Sequence, residues 1–136
     1  MNKFVLKILS GEEVKKNNDE SYIYEIIADG YVVYIGKSKI PKERFYTHLY
    51  AINNNKKNTN KSLYNVLKLY EPEFLIIDKC KDEDIIDLET KYILKHLDNG
   101  NLLLNKIFNI DGIDYSCIEY FKNKKYIPYR SKIKRV

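Results

Sequence analysis

The sequence predicts a small α/β domain, a short sheet with helices packed against it. Three observations carry this. The stretch YIYEIIADGYVVYIGK, residues 22–37, holds two apolar-alternating runs hinged on Asp29-Gly30, which is a β-hairpin pattern. The hairpin and the elements after it follow the order ββααβα. With 136 residues and no repeats, the chain has the length of one domain with one core.

Taken in order, KFVLKIL near the start reads as a short strand or a helical turn, and the polar EEVKKNNDE after it as a linker. The hairpin follows. Pro41 stands where a first helical turn accepts proline, and Phe45, Leu49 and Ile52 recur at helical spacing, which gives a helix over about 41–53. NNNKKNTN is a polar loop, KSLYNVLKLY a second helix stopped by Pro72, and EFLIIDKC a short strand. Asp82 is placed to cap a third helix that runs through His96, with Ile85, Leu88, Tyr92 and Ile93 on its buried side. NGNLLLNKIFNIDG, residues 99–112, reads as extended chain packed back on the domain. The resulting division is an extension over 1–20, the domain over 21–112, and a basic tail over 113–136.

Four tyrosines fall within residues 22–34. Aromatic side chains suit a half-buried pleated surface, so packing alone explains some of them. Register decides more. A two-residue Asp-Gly loop would send Tyr34 to the face opposite Tyr24, whereas a three-residue loop, Ala28-Asp29-Gly30, sets the two phenols directly across from each other. The second pairing is expected, with Ile23, Ile27, Val33 and Ile35 on the other face; Glu25 falls among them without explanation.

Hydrophobic residues make up 44% and charged residues 32%, a globular composition. No apolar run reaches the roughly 20 residues of a membrane span, and MNKFVLKILSGEE is too soon charged for a secretory signal, so a cytoplasmic location is expected, in a bacterium or in the host of a virus. Cys80 and Cys117 lack metal-ligand spacing and read as free thiols. Of the 24 basic residues, seven lie between Lys122 and Val136 with no acidic residue among them, leaving 17 against 19 acidic ones elsewhere. A second cluster, Lys37, Lys39, Lys42, Arg44, Lys56, Lys57 and Lys61, is opposed by Glu43 alone. Basic stretches interleaved with Tyr126 and Tyr129 suit a polyanion, whose phosphates attract Lys and Arg and whose bases stack on rings. The nucleic-acid candidates are Lys37, Lys39, Lys42, Lys56, Lys57, Lys124, Lys125 and Arg130. A tail that only aids solubility is the plain alternative.

Arg44 and His48 lie at i and i+4 on the first helix and share a stripe beside its core face. Glu89 falls inside the buried stripe of the third helix, where a carboxylate needs a partner, a metal ion or water at a rim. Singly these have ordinary readings: a surface arginine, a structural histidine, a rim carboxylate. Together with Tyr24 and Tyr34 they make two phenols, a guanidinium, an imidazole and a metal-competent carboxylate, an inventory suited to cutting a phosphodiester.

These residues resemble the GIY-YIG nucleases. Tyr22-Ile23-Tyr24 is similar to the first motif and Tyr34-Ile35-Gly36 to the second, followed by Arg44 and His48 as R-x-x-x-H, Glu89 in LETKYI, and Asn105, over residues 22 to about 108. Tyr22 stands where the family has glycine. The resemblance implies a three-stranded sheet, antiparallel or mixed, flanked by helices, and one divalent metal, Mg²⁺ or Mn²⁺. It implies hydrolysis of DNA to 5′-phosphate and 3′-hydroxyl ends. It suggests Tyr24 as the base toward the attacking water, Tyr34 as a second phenol beside it at the metal, Arg44 on the scissile phosphate and Glu89 as metal ligand. His48 would take or relay the Tyr24 proton, and Asn105 would brace the site. A weaker likeness to the phage endonucleases that degrade host DNA adds Lys61 as a catalytic candidate. A single site cuts one strand, so a double-strand break would need a homodimer, a homotetramer or sequential nicking.

Forming a phenolate at pH 7 costs on the order of 4 kcal/mol from an ordinary tyrosine, and Arg44, a metal at Glu89 and a bond to His48 would each lower that cost. Two other classes stay open: a non-catalytic nucleic-acid-binding protein on the same fold, and a protein-interaction factor.

Overall fold

The computed structural model describes residues 5–8 as backbone and residues 19–54 and 60–129 in full. Its main sheet contains β1 (Val5–Ile8), β2 (Glu20–Ala28), β3 (Tyr31–Ser38) and β4 (Glu73–Lys81) in the order β1-β4-β2-β3. The antiparallel three-stranded part, β4-β2-β3, is the sheet the sequence predicts. Strand β1 joins β4 in parallel and makes the whole mixed, so part of the segment read as an N-terminal extension belongs to the sheet.

The hairpin turns by a different device from the one expected. Asp29 and Gly30 both have positive φ, 53° and 79°, and Ala28 pairs with Tyr31, which makes a two-residue loop with the twist such hairpins favour. A bulge then corrects the phase. Ile27 pairs with Val32 and Ile26 with Tyr34, leaving Val33 as the extra residue. Tyr34 is thereby returned to the face of Tyr24, but Tyr24 lies opposite Gly36 instead of opposite Tyr34. Val33 packs with the Tyr24 face, and Val32 takes the place expected for it on the other.

Each face of the sheet has its own core. On one, Tyr22, Tyr24, Ile26, Phe74 and Ile76 pack against α1 (Pro41–Asn54) and α2 (Lys61–Leu69). Asn60 starts α2 by accepting from the Leu63 N–H, and its amide donates to Leu104 O at 2.6 Å. On the other, Ile23 and Ile35 pack against α3 (Ile85–Asp98), the hairpin β5 (Ile107–Ile110) and β6 (Ile113–Ser116), and α4 (Cys117–Asn123). The segment expected as a basic tail thus contributes a strand and a helix to this core.

Asp82 does not cap α3. It begins a 3-10 turn over Asp82–Asp84, and its carboxylate accepts from Ser21 Oγ and pairs with Lys39 Nζ. Glu25 is half-buried, which raises its pKa, and His96 Nε2, whose own pKa burial lowers, lies 4.0 Å from its carboxylate. Cys80 and Cys117 are free thiols. Among the described residues no helix is long and apolar enough to cross a membrane.

Candidate active site

Four elements bring the side chains together. Strands β2 and β3 carry Tyr24 and Tyr34, α1 carries Arg44 and His48, and α3 carries Glu89. The chain after α3 supplies Asn105. Tyr34, Lys37, Glu89, Asn105, Phe108 and Asp114 are among the residues that line one cleft of about 420 Å³.

Tyr24 is fully buried and does not line that cleft. Its ring stacks on Phe74 at 4.3 Å and lies 6.3 Å from the ring of Tyr34. Its hydroxyl is 2.7 Å from His48 Nε2 and accepts from Arg44 Nε at 3.3 Å. Burial raises its pKa, with the neighbouring Tyr34 adding to the rise and Arg44 opposing it. The pKa of Tyr34 is also raised by burial and lowered by Arg44, which bonds to both phenols.

His48 is buried within the core instead of beside it. Its Nδ1 meets the hydroxyl of Tyr64, on α2, at 2.6 Å. Burial first, and Arg44 second, push its pKa down to about 3, so the ring is neutral at pH 7. A neutral imidazole has one donor and one acceptor nitrogen, which suits a place between two phenols.

Asn105 works on the backbone. Its amide accepts from Ile35 N at 2.9 Å and donates to Ile35 O at 2.7 Å, imitating a strand neighbour at the outer edge of β3. Leu104 N bonds to Val33 O and Asn101 Nδ2 to Val32 O along the same edge. The strand that carries Tyr34 is fixed from its open side.

Glu89 is largely buried, and burial raises its pKa while Lys37 opposes the rise; Lys37 Nζ bonds to its Oε1 at 3.2 Å. A carboxylate with open space beside it, as Glu89 has, is the kind of ligand an oxygen-seeking ion such as Mg²⁺ takes, the ion keeping several waters. Among the described residues no group of three or more His, Cys, Asp or Glu converges on one point. Of the two carboxylates that line the cleft, Glu89 is paired with Lys37 and Asp114 accepts from Asn109 Nδ2 at 2.8 Å.

The family profile of the GIY-YIG catalytic domain matches residues 20–103. The chain belongs to the GIY-YIG family. No curated protein and no solved structure matched it. The GIY-YIG match covers both tyrosines, Arg44, His48 and Glu89, and ends just before Asn105. Lys106, Phe108, Asn109 and Asp114, which also line the cleft, lie beyond it.

The remaining candidates are scattered. Lys61 opens α2, exposed, and does not line the cleft. Lys39 is paired with Asp82, and exposed Lys124 lies against the end of α3, its Nζ donating to Leu97 O and 3.7 Å from Asp98. Lys42 and Lys125 are exposed. Lys56, Lys57 and Arg130 lie outside the described residues. Sequence reasoning missed Tyr64, the Lys37–Glu89 pair and Asp114. Tyr64 sits beside Leu63 in an amphipathic helix, where nothing local separates a site phenol from a packing one.

Proposed function

We propose that this GIY-YIG protein is a divalent-metal-dependent endonuclease that hydrolyses DNA to 5′-phosphate and 3′-hydroxyl ends. The observation that carries this is the joining of Tyr34 and Glu89, from β3 and α3, in one cleft with Arg44 bonded to the phenol from behind. A cation held by Glu89, Mg²⁺ or Mn²⁺, would supply electrostatic stabilisation of charge at the scissile phosphate.

The chain's own residues divide the remaining work. Tyr34 faces the cleft, so the phenol best placed to take the proton of an attacking water is Tyr34. Tyr24, with no exposed surface, holds Arg44 from behind. Arg44 lowers the cost of a Tyr34 phenolate; it does not line the cleft but a separate hollow with Ser38, Lys39 and Thr47, and its guanidinium has the fork that suits a phosphate. His48 fixes Tyr24, and Asn105 fixes the β3 backbone beside Tyr34. Lys37 and exposed Lys42 and Lys125 are suited to backbone phosphates.

Supercoiled plasmid incubated with wild type and with Glu89→Ala, with Mg²⁺ and with EDTA, tests the reading. Nicking or linearisation by wild type with metal alone, and binding without cutting by Glu89→Ala, is the expected result. Plasmid bound but left intact with Mg²⁺ and Mn²⁺ would replace this reading with a binding protein on the same fold.

A further inference from the structure

Tyr24, His48 and Tyr64 form a chain of side chains through the core beneath the cleft, joined by contacts of 2.7 Å and 2.6 Å. The protons in it can be assigned. The oxygen of Tyr24 has two polar partners, Arg44 Nε and His48 Nε2. Arg44 carries no acceptor, so it can only donate. The Tyr24 hydroxyl hydrogen therefore goes to His48 Nε2, which must be the bare nitrogen. The ring hydrogen of neutral His48 is then on Nδ1 and is donated to the oxygen of Tyr64. The donors of Tyr24 and His48 each meet one acceptor, the half-buried Tyr64 hydroxyl ends the chain, and no buried side-chain polar atom among the described residues lacks a partner.

The opposite direction breaks this order. With the hydrogen on Nε2, His48 and Arg44 would both donate to Tyr24, and the hydrogen of Tyr24 would have no acceptor in a fully buried position. An unmet buried donor costs about 1–3 kcal/mol. Turning that hydrogen toward Arg44 would set donor against donor and loosen the guanidinium.

We propose that Tyr64 is a positioning residue of the site: by accepting the Nδ1 hydrogen it fixes the tautomer of His48, and through His48 and Tyr24 it holds Arg44 against Tyr34. Tyr64 touches neither the cleft nor Arg44 through a hydrogen bond, and it comes from α2, which supplies none of the motif residues. A phenol oxygen accepts through its lone pairs, and the Tyr64 phenol stays neutral, its pKa pushed up to about 12 chiefly by burial. The catalytic part of this inference rests on the nuclease reading; the tautomer part does not.

The test is nitrogen-15 NMR of the His48 ring and of Arg44 Nε in metal-free wild type and Tyr64→Phe, together with plasmid-cutting kinetics. The expected result is a single Nδ1–H tautomer in wild type and a mixture in Tyr64→Phe. The Arg44 Nε resonance should move, and kcat should fall about tenfold or more with KM little changed. A wild-type ring protonated on Nε2 overturns the proposal, as does a Tyr64→Phe protein that keeps the wild-type tautomer or the wild-type kcat. If Tyr64→Phe does not fold, a fluorinated tyrosine at position 64, which keeps the shape and weakens the acceptor, replaces it under the same criteria. If wild type cuts no DNA, the nuclease reading fails while the spectra still decide whether Tyr64 sets the tautomer.

Discussion

The ring of Tyr24 lies across Gly36. The two residues are paired in register on β2 and β3, and a Cβ added at position 36 would stand 2.2 Å from Tyr24 Cζ and 2.3 Å from its hydroxyl oxygen. The glycine of the second motif is therefore the floor on which the tyrosine of the first one rests. Gly36→Ala should lower stability by about 2 kcal/mol or more and abolish activity, as read by urea unfolding. With Tyr24→Ala added, the combined loss should be smaller than the sum of the two single losses, because the clash is shared.

Removing one hydroxyl at a time separates the two phenols. Tyr34→Phe should cut DNA about 100-fold more slowly or worse, as loss of a proton acceptor does, while its thermal midpoint stays near wild type. Tyr24→Phe should lose activity and also about 1–3 kcal/mol of stability, because Arg44 Nε and His48 Nε2 lose their shared partner. Equal stability of the two variants would contradict this division of roles.

Acid should weaken the fold through His48. Its folded pKa of about 3 lies below the ordinary value of 6.5, so its contribution is complete above about pH 6.5 and is lost as pH falls toward 3. Tyr24, Tyr34, Tyr64 and Arg44 surround the ring, and none gives it a negative charge that would stabilise imidazolium. In urea titrations between pH 7 and pH 4, wild type should lose stability more steeply than His48→Gln. The comparison cancels the shared carboxylates.

Glu89 has the opposite sign. Its pKa is raised in the folded state, so the folded chain binds its proton more readily and stability from this group falls as pH rises through the carboxylate range. Glu89→Gln should therefore be no less stable than wild type at pH 7, with any gain shrinking as pH is lowered, while its nuclease activity is lost. A strongly destabilised Glu89→Gln would mean that the Lys37 pair serves folding instead of the site.

Local pattern announced much of this architecture. Alternation around Asp29-Gly30, Pro41 before a helical stripe and Pro72 after another placed β2, β3, α1 and α2 nearly where they lie, because each is set by its own period and punctuation. The compensating bulge at Val33 was not legible, since a two-residue loop plus a bulge gives the same facing of Tyr24 and Tyr34 as a three-residue loop. The motif residues were legible as an ordered set. Tyr64 was not, because its role comes from a contact between two helices 16 positions apart. Asp82 misled for a related reason: its carboxylate was claimed by Ser21 and Lys39, far away in the chain, before it could serve the helix beside it.

Strand β3 ends the sheet, and the outer backbone groups of a terminal strand ordinarily offer a template on which another chain can add. Here Asn101, Leu104 and Asn105 occupy those groups between Val32 and Ile35. Between Val32 and Ile35 the strand that carries Tyr34 is thus shielded from intermolecular β-pairing, the step by which an aromatic-rich, apolar edge would template a fibre.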